Sequence, residues 1–522
     1  MKTPIDYLVG IDNGTQRLTA IFVELNGSII AIGESNEIPL IKTDDGGREH
    51  DPESWRKALS EAMQQARDIT EENGTKLGKC LGVCPSGQMH GECLRLDNGK
   101  FHYRARLWCD MRNGEEGHFL TQYYNFTTPQ RLTVTRHLWT RKNQPELANQ
   151  CTGITTPAGV LAAFLDQKAW GLGFGEACGM FHVNPSTGQY NDLMIEKFDK
   201  LPDCQNFPSI AYLLPPPVMV GTIIGHVDEN GSALSGLPVG TPIFSPEGDQ
   251  PTTLAGTFVW RPGTFSFSLG TSICANLISE QPFKQIHPGV EPFMTADGKP
   301  FYMCHVQNGT SWMNVFIDMY KELLGNRNPF DTLMPLAADA PIDCDGIVML
   351  PLAEAEHGLG FASAGRSGIF NLRAKPLNAT YSHVGCMVRA AFNASMFSIL
   401  HSVMALREQG IGVDKIVASG GSVKSTWTCQ AIADIFGVPV HVSKEADEGS
   451  AYGAALMAIY GHCRQAEYGL TWGEFLDQMQ PKEYQIYQPD PKNSTTYERM
   501  FDAFELLVSD VENKLLMVPW AK

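Results

Sequence analysis

Positive charge is scarce in this sequence: 40 Lys and Arg stand against 57 Asp and Glu, a net charge of −17 over 522 residues. A surface of that sign repels nucleic acid and anionic membranes, so neither is expected as the main partner. An anionic small molecule is still admissible, because backbone N–H groups and Mg2+ hold phosphate without bulk positive charge. Long apolar runs are missing as well, and stretches such as 159–165 fall far short of a membrane span. The opening Met1-Lys2-Thr3-Pro4-Ile5-Asp6 runs directly into an apolar strand, without the layout of a signal peptide. Cysteine pairs at metal-ligand spacing are lacking: among thirteen Cys only Cys80 and Cys84 lie close together, and no second pair accompanies them. Reduced, mostly buried thiols in a cytoplasmic protein are therefore expected.

What is present is the balance of a globular chain, 43% apolar and 19% charged. A length of 522 residues exceeds one core, so two large domains are expected. Residues 7–25 read as strand, turn, strand, with Asp12-Asn13-Gly14-Thr15 in the turn. The same design returns at 264–278 around Gly270-Thr271-Ser272, which suggests an internal duplication. Between them, Trp55, Leu59, Ala62, Met63, Ala66 and Ile69 give 52–71 a helical period, and Cys80-Leu81-Gly82-Val83 reads as a buried strand. Strands alternating with helices of this size indicate an α/β layout in each half.

A Pro- and Gly-rich run over 213–248 leads to a hinge placed at about 256–263. Beyond it, 384–409 reads as a long helix, 415–418 as a strand entering the Gly420-Gly421-Ser422 turn, 425–436 as a helix and 438–442 as a strand. The small-residue segment 449–459 suits a helix packed closely on a neighbour, and 461–522 reads as a helical extension.

Gly-Thr turns bring successive N–H groups to a phosphate, and Asp12 at a strand end can order a hard cation such as Mg2+. Phosphoryl transfer to an alcohol also needs an acceptor for the hydroxyl proton. Asp249, in Glu247-Gly248-Asp249-Gln250-Pro251, has the setting for that role; a helix cap explains it equally well from local sequence. A lone His90 or Trp108 is likewise compatible with a satisfied core residue.

Taken in order, several segments resemble the FGGY carbohydrate kinases across most of the chain. They are Gly10-Ile11-Asp12-Asn13-Gly14-Thr15, Ser86-Gly87-Gln88-Met89-His90-Gly91, Trp108-Cys109-Asp110-Met111-Arg112, Gly248-Asp249-Gln250, Ser268-Leu269-Gly270-Thr271-Ser272, Asn308-Gly309 and Ser419-Gly420-Gly421-Ser422. The resemblance implies an α/β fold of two actin-like (ribonuclease H-like) ATPase domains with a cleft between them. It implies a sugar-binding domain over 5–258, a nucleotide-binding domain over 262–460 and an extension over 461–522.

It also implies ATP and Mg2+, with a homodimer as the expected assembly. Asp249 would be the catalytic base, and Met89, His90, Trp108, Asp110 and Gln250 would line the acceptor pocket. Gly14, Thr15, Gln16, Gly270, Thr271, Asn308, Gly420, Gly421 and Ser422 would contact the nucleotide, and Asp12 the metal. The form Gln-Met-His-Gly is similar to kinases of xylulose and sedoheptulose, with D-xylulose first and D-ribulose or sedoheptulose behind it. Relatives carry Lys or Arg where this chain has Thr19, and Arg17 lies two residues earlier on the same strand face. Actin-like chaperones share the fold but lack the pocket motifs, and an inactive sugar-binding regulator has no need of Asp12 and Asp249 together.

Overall fold

The apolar segment after Asp6 forms a strand because its side chains are wanted on both faces of a sheet. In the computed structural model, which describes residues 3–361, 367–373, 382–443, 449–481 and 483–514, Tyr7 to Ile11 are buried throughout. The chain divides into two units. Unit 1 takes the described residues of Met1–Trp260, Phe293–Pro300 and Glu448–Gln480; unit 2 takes those of Arg261–Pro292, Phe301–Asp447 and Pro481–Lys522.

Unit 1 is built on the strands β1 (Ile5–Asn13), β2 (Leu18–Val23), β3 (Ile29–Glu34), β4 (Leu77–Gly87), β5 (Ile223–His226), β6 (Pro242–Phe244) and β7 (Glu247–Gly248). Their order is β5-β6-β4-β1-β2-β3, with β7 also on β4. β1, β2 and β3 form an antiparallel meander, whereas β4 runs parallel to β1, β6 and β7. The expected helix is observed at Pro52–Glu72, started by the Asp51 carboxylate accepting from Glu53 N–H and by Pro52 in the first turn. It buries Trp55, Leu59, Ala62, Met63 and Ala66 against one face of the sheet. The helix Gly449–Gln465 covers the other face. Its small residues are explained by Gly10, where a Cβ would overlap the backbone Ala451 O and Ala455 N.

Unit 2 repeats this plan. Its strands β8 (Thr264–Leu269), β9 (Ile273–Ile278), β10 (Pro300–Val306), β11 (Lys415–Ser419), β12 (Val440–Ser443) and β13 (Tyr484–Tyr487) lie in the order β10-β9-β8-β11-β12-β13. β8, β9 and β10 form the antiparallel meander, and β11 and β12 are the parallel strands. The antiparallel meander with a parallel strand beside its first member is shared by both sheets, and it is the duplication that the two Gly-Thr hairpins point to. The helix His383–Glu408 crosses the core of this unit, burying Phe392, Phe397 and Leu406 among others.

Two segments are placed differently from the sequence expectation. Gly449–Gln465, which runs from the expected second domain (262–460) into the expected extension, makes its contacts within unit 1, because its glycine and alanine face is the one that fits Gly10 of β1. The stretch 461–522 is not purely helical. Tyr484-Gln485-Ile486-Tyr487 pairs with β12 as an edge strand, and the final helix Pro491–Lys514 buries Tyr497 and Phe504 in the unit 2 core. No described helix is long and apolar enough to cross a membrane. All thirteen cysteines are free.

Candidate functional site

Three parallel strands of unit 1 end at the same level. Register aligns Asp12 of β1 with Ser86 of β4 and Ser86 with Glu247 of β7; Asn13, Gly87 and Gly248 form the next row. Open sheets bind ligands beyond such carboxyl ends, where neighbouring strands diverge into loops. Asp249 follows directly as the first residue of the helix Asp249–Gly256. The helix cap position is Gly248, and no side chain caps it. Asp249 is therefore free of the capping role that local sequence allowed.

The carboxylate of Asp249 is pushed up to about 7, first by burial and then by the negative charge of Asp12. Hydrogen bonds from the Gln250 side chain and from the Met89 and Gln250 backbone N–H groups pull in the opposite direction and do not cancel it. A carboxylate tuned to neutrality suits a general base at physiological pH. Asp12 is itself raised by burial, against hydrogen bonds from the Ser450 and Ser86 hydroxyls.

Those hydroxyls belong to a closed triangle. Thr252 Oγ1 lies 2.9 Å from Ser86 Oγ and 2.8 Å from Ser450 Oγ, and the two serines are 3.4 Å apart. Sequence reasoning did not find Ser450, because nothing in Gly449-Ser450-Ala451 marks it as facing a carboxylate 438 positions earlier. Only the close approach of its helix to Gly10 brings it there.

Asp12 Oδ1 is buried and has no hydrogen-bond partner. An unpaired buried carboxylate oxygen fits a hard cation, which would offset both the burial cost and the repulsion from Asp249. Among the described residues no group of three or more His, Cys, Asp or Glu forms a protein-only metal site. A divalent ion at Asp12 would then take its other ligands from phosphate and water.

The wall next to Asp249 is made by the Gln88-Met89-His90 segment. His90 adopts a left-handed backbone with φ 68°, its Nδ1 lies 3.2 Å from Gly179 O, and its ring packs on Phe293 at 5.2 Å between centroids. Burial, with Arg131 and Arg136 nearby, holds the imidazole well below its usual range and hence neutral. The carbonyl partner assigns the proton to Nδ1, leaving Nε2 as an acceptor. Trp108 Nε1 donates to Thr15 Oγ1 at 3.2 Å, and Thr15 Oγ1 donates to Gln88 Oε1 at 3.2 Å. The first Gly-Thr turn is thereby tied to the pocket segment within one unit.

Three expected residues take other parts. Asp110 is fully buried, with its carboxylate engaged by Arg112 Nη2 at 2.5 Å and Arg48 N at 3.1 Å, so it holds Arg112 in place. Asn308 is also fully buried: its amide accepts from Glu354 N at 2.8 Å and donates to Glu356 Oε2 at 3.0 Å, which makes it a loop brace. Arg17 pairs with Glu34 at 2.7 Å on the exposed surface, so its charge is already answered there. Gln16 is exposed beside Gly14.

Two acids beyond the expected set accompany Asp249. Glu247 is fully buried, accepts from Glu176 N at 2.8 Å and is raised by burial to about 8. Glu176, also fully buried, is raised well above the usual range, first by burial and then by Asp249 and Glu247. Burial disfavours the charged form of both.

Unit 2 carries a separate cavity of about 870 Å3 at the ends of β8 and β11. Gly270 and Thr271 form one rim, Gly421 and Ser422 another, and Phe330, Met334 and Trp427 supply apolar walls. Gly420 takes φ 98°, where a Cβ would strike the backbone of Leu269. Glycine alone lets the turn after β11 approach β8 this closely. Polar turns facing flat apolar walls suit a phosphate chain joined to an aromatic base.

Residues 7–256 match the N-terminal domain of the FGGY family of carbohydrate kinases, and 265–462 match its C-terminal domain. The chain is 24% identical over 510 residues to a xylulose kinase of Staphylococcus epidermidis, covering 96% of each. It is also 24% identical over 535 residues to an autoinducer-2 kinase of Photorhabdus laumondii, covering 97% of this chain and 94% of that one. Among solved structures, xylulose kinase from Rhodospirillum rubrum superposes with a TM-score of 0.81 at 19% identity, over 97% of this chain and 99% of that one. Gluconate kinase from Lactobacillus acidophilus gives 0.82 at 20% identity, over 98% and 99%. The chain belongs to the FGGY family of carbohydrate kinases, enzymes that act on a sugar and ATP.

Proposed function

We propose that this kinase phosphorylates a hydroxyl of a ketose, with D-xylulose as its first acceptor and Asp249 as the general base. The observation that carries the reading is the closeness of Asp12, near the end of β1, to Asp249, just after β7, whose mutual repulsion adds to burial in raising Asp249 to about 7. The acceptor hydroxyl gives its proton to Asp249 as its oxygen bonds to the γ-phosphorus; the bridging P–O bond breaks and ADP leaves. His90 Nε2 accepts a hydrogen bond from a second hydroxyl, and Trp108 provides an apolar wall. Mg2+ bound beside Asp12 supplies neutralisation of phosphate charge. The cavity of unit 2 takes the nucleotide through Gly270, Thr271, Gly421 and Ser422. A cytoplasmic setting fits thirteen free thiols.

D-Xylulose is favoured over other acceptors by the Met89-His90 pair and by relatives named xylulose kinase at 24% identity. The test is ADP release with D-xylulose, D-ribulose, sedoheptulose, gluconate and glycerol offered separately. The highest kcat/KM is expected on D-xylulose. A different preferred acceptor moves the substrate assignment, and no sugar-dependent turnover with any of them, sugar binding being retained, sinks the reading.

A further inference from the structure

A helix outside every recognised motif holds the acceptor wall from behind. In Thr133–Asn143, Arg136 is fully buried. Its guanidinium donates to three backbone carbonyls: Nη1 to His90 O at 3.1 Å and to Arg131 O, and Nη2 to Trp108 O at 2.7 Å. One turn earlier, Thr133 Oγ1 donates to Gly91 O at 3.3 Å. His90 and Trp108 lie 18 positions apart, and under the proposed function both side chains line the acceptor pocket. The backbone of His90 is left-handed, a conformation that a non-glycine residue holds only when its surroundings enforce it.

We propose that this helix is a clamp on the acceptor pocket, with Arg136 as its principal positioning residue: the two arms of one planar guanidinium fix the His90 and Trp108 carbonyls at a set separation, and Thr133 secures the adjacent Gly91. A guanidinium is suited to this because its fork fixes two directions at once, whereas an ammonium is a single point donor. The charge sits in a fully buried place, where burial lowers Arg136 to about 9, against the favourable field of Asp110. An interaction retained at such cost marks a geometry worth holding.

The clamp rests on the acceptor reading above, and its test separates the two. With the full chain and the best acceptor from the panel, Arg136→Lys and Arg136→Gln are compared with the parent for kcat and for the KM of acceptor and ATP. Misplacing the wall by about an ångström is expected to raise acceptor KM on the order of 10- to 100-fold. ATP KM should stay within about twofold, and Lys should fail to rescue although it keeps the charge. Acceptor KM unchanged in a folded variant overturns the clamp, as does a parallel rise in both KM values.

If neither Arg136 variant folds, Thr133→Val decides. A rise in acceptor KM alone supports the clamp, and an unchanged value overturns it. A parent with no turnover on any acceptor sinks the kinase reading. The clamp is then judged by the D-xylulose dissociation constant from tryptophan fluorescence, with the same expected fold-change.

Discussion

Asp249→Asn is expected to lower turnover by at least ~10²-fold while leaving ATP affinity unchanged. Asn keeps the size of the side chain and can still accept the Met89 N–H bond, so the wall beside it should hold its shape. It cannot take a proton at neutral pH, which is the one capacity that the raised carboxylate supplies. The cavity proposed for the nucleotide is lined by unit 2 residues, so its affinity should not depend on the Asp249 side chain, and an unchanged melting transition controls for folding. Steady-state kcat together with an ATP-analogue dissociation constant checks this. Turnover near that of the parent would make Asp249 structural and place the base elsewhere.

Gly10→Val is expected to be the most damaging change outside the chemistry. The new side chain would meet Ala451 O and Ala455 N, backbone atoms of a helix that cannot retreat without lifting Ser450 from Asp12. Overpacking of this kind costs on the order of 1–3 kcal/mol, and more where backbone must move. At the few degrees per kcal/mol typical of large domains, the melting transition should fall by roughly 5 °C or more. Calorimetry resolves it, and a transition within about 1 °C of the parent would show that the helix shifts at little cost. Thr19→Val, on the adjacent strand, should not reproduce the effect.

The legible parts of this molecule were those written in local periodicity or in short ordered motifs. Trp55, Leu59, Ala62, Met63 and Ala66 announce a helix that forms within one residue of its expected end. The Asp12 turn and the Gly270 turn announce the repeated meander, and the strand order of both sheets follows it. What was not legible depends on packing between distant segments. Ser450 reaches Asp12 only because alanines and glycines let its helix approach β1. Asp110 and Asn308 occupy motif positions, yet each spends its polar atoms on neighbours, Arg112 in one case and the 354–356 loop in the other. A polar residue in a binding motif has two uses, touching the ligand or holding the residue that does. Arg136 is the converse: no local signal distinguishes it from a surface arginine, although its helix is nearly all buried. The strand at Tyr484–Tyr487 was hidden by its brevity and by the helices on either side.

The pH dependence of acceptor phosphorylation tests the central claim most directly. An acid raised from its usual value to about 7 is protonated below that pH and available as a base above it. Single-turnover phosphosugar formation, measured from pH 4.5 to 8.5 at saturating ATP, should therefore rise with pH at the acid end and level off above a midpoint no higher than about 7, since a cation beside Asp12 offsets part of the charge that raises Asp249. A rate that stays flat across that range, or one that falls as pH rises through 7, would contradict the assignment of Asp249 as the base.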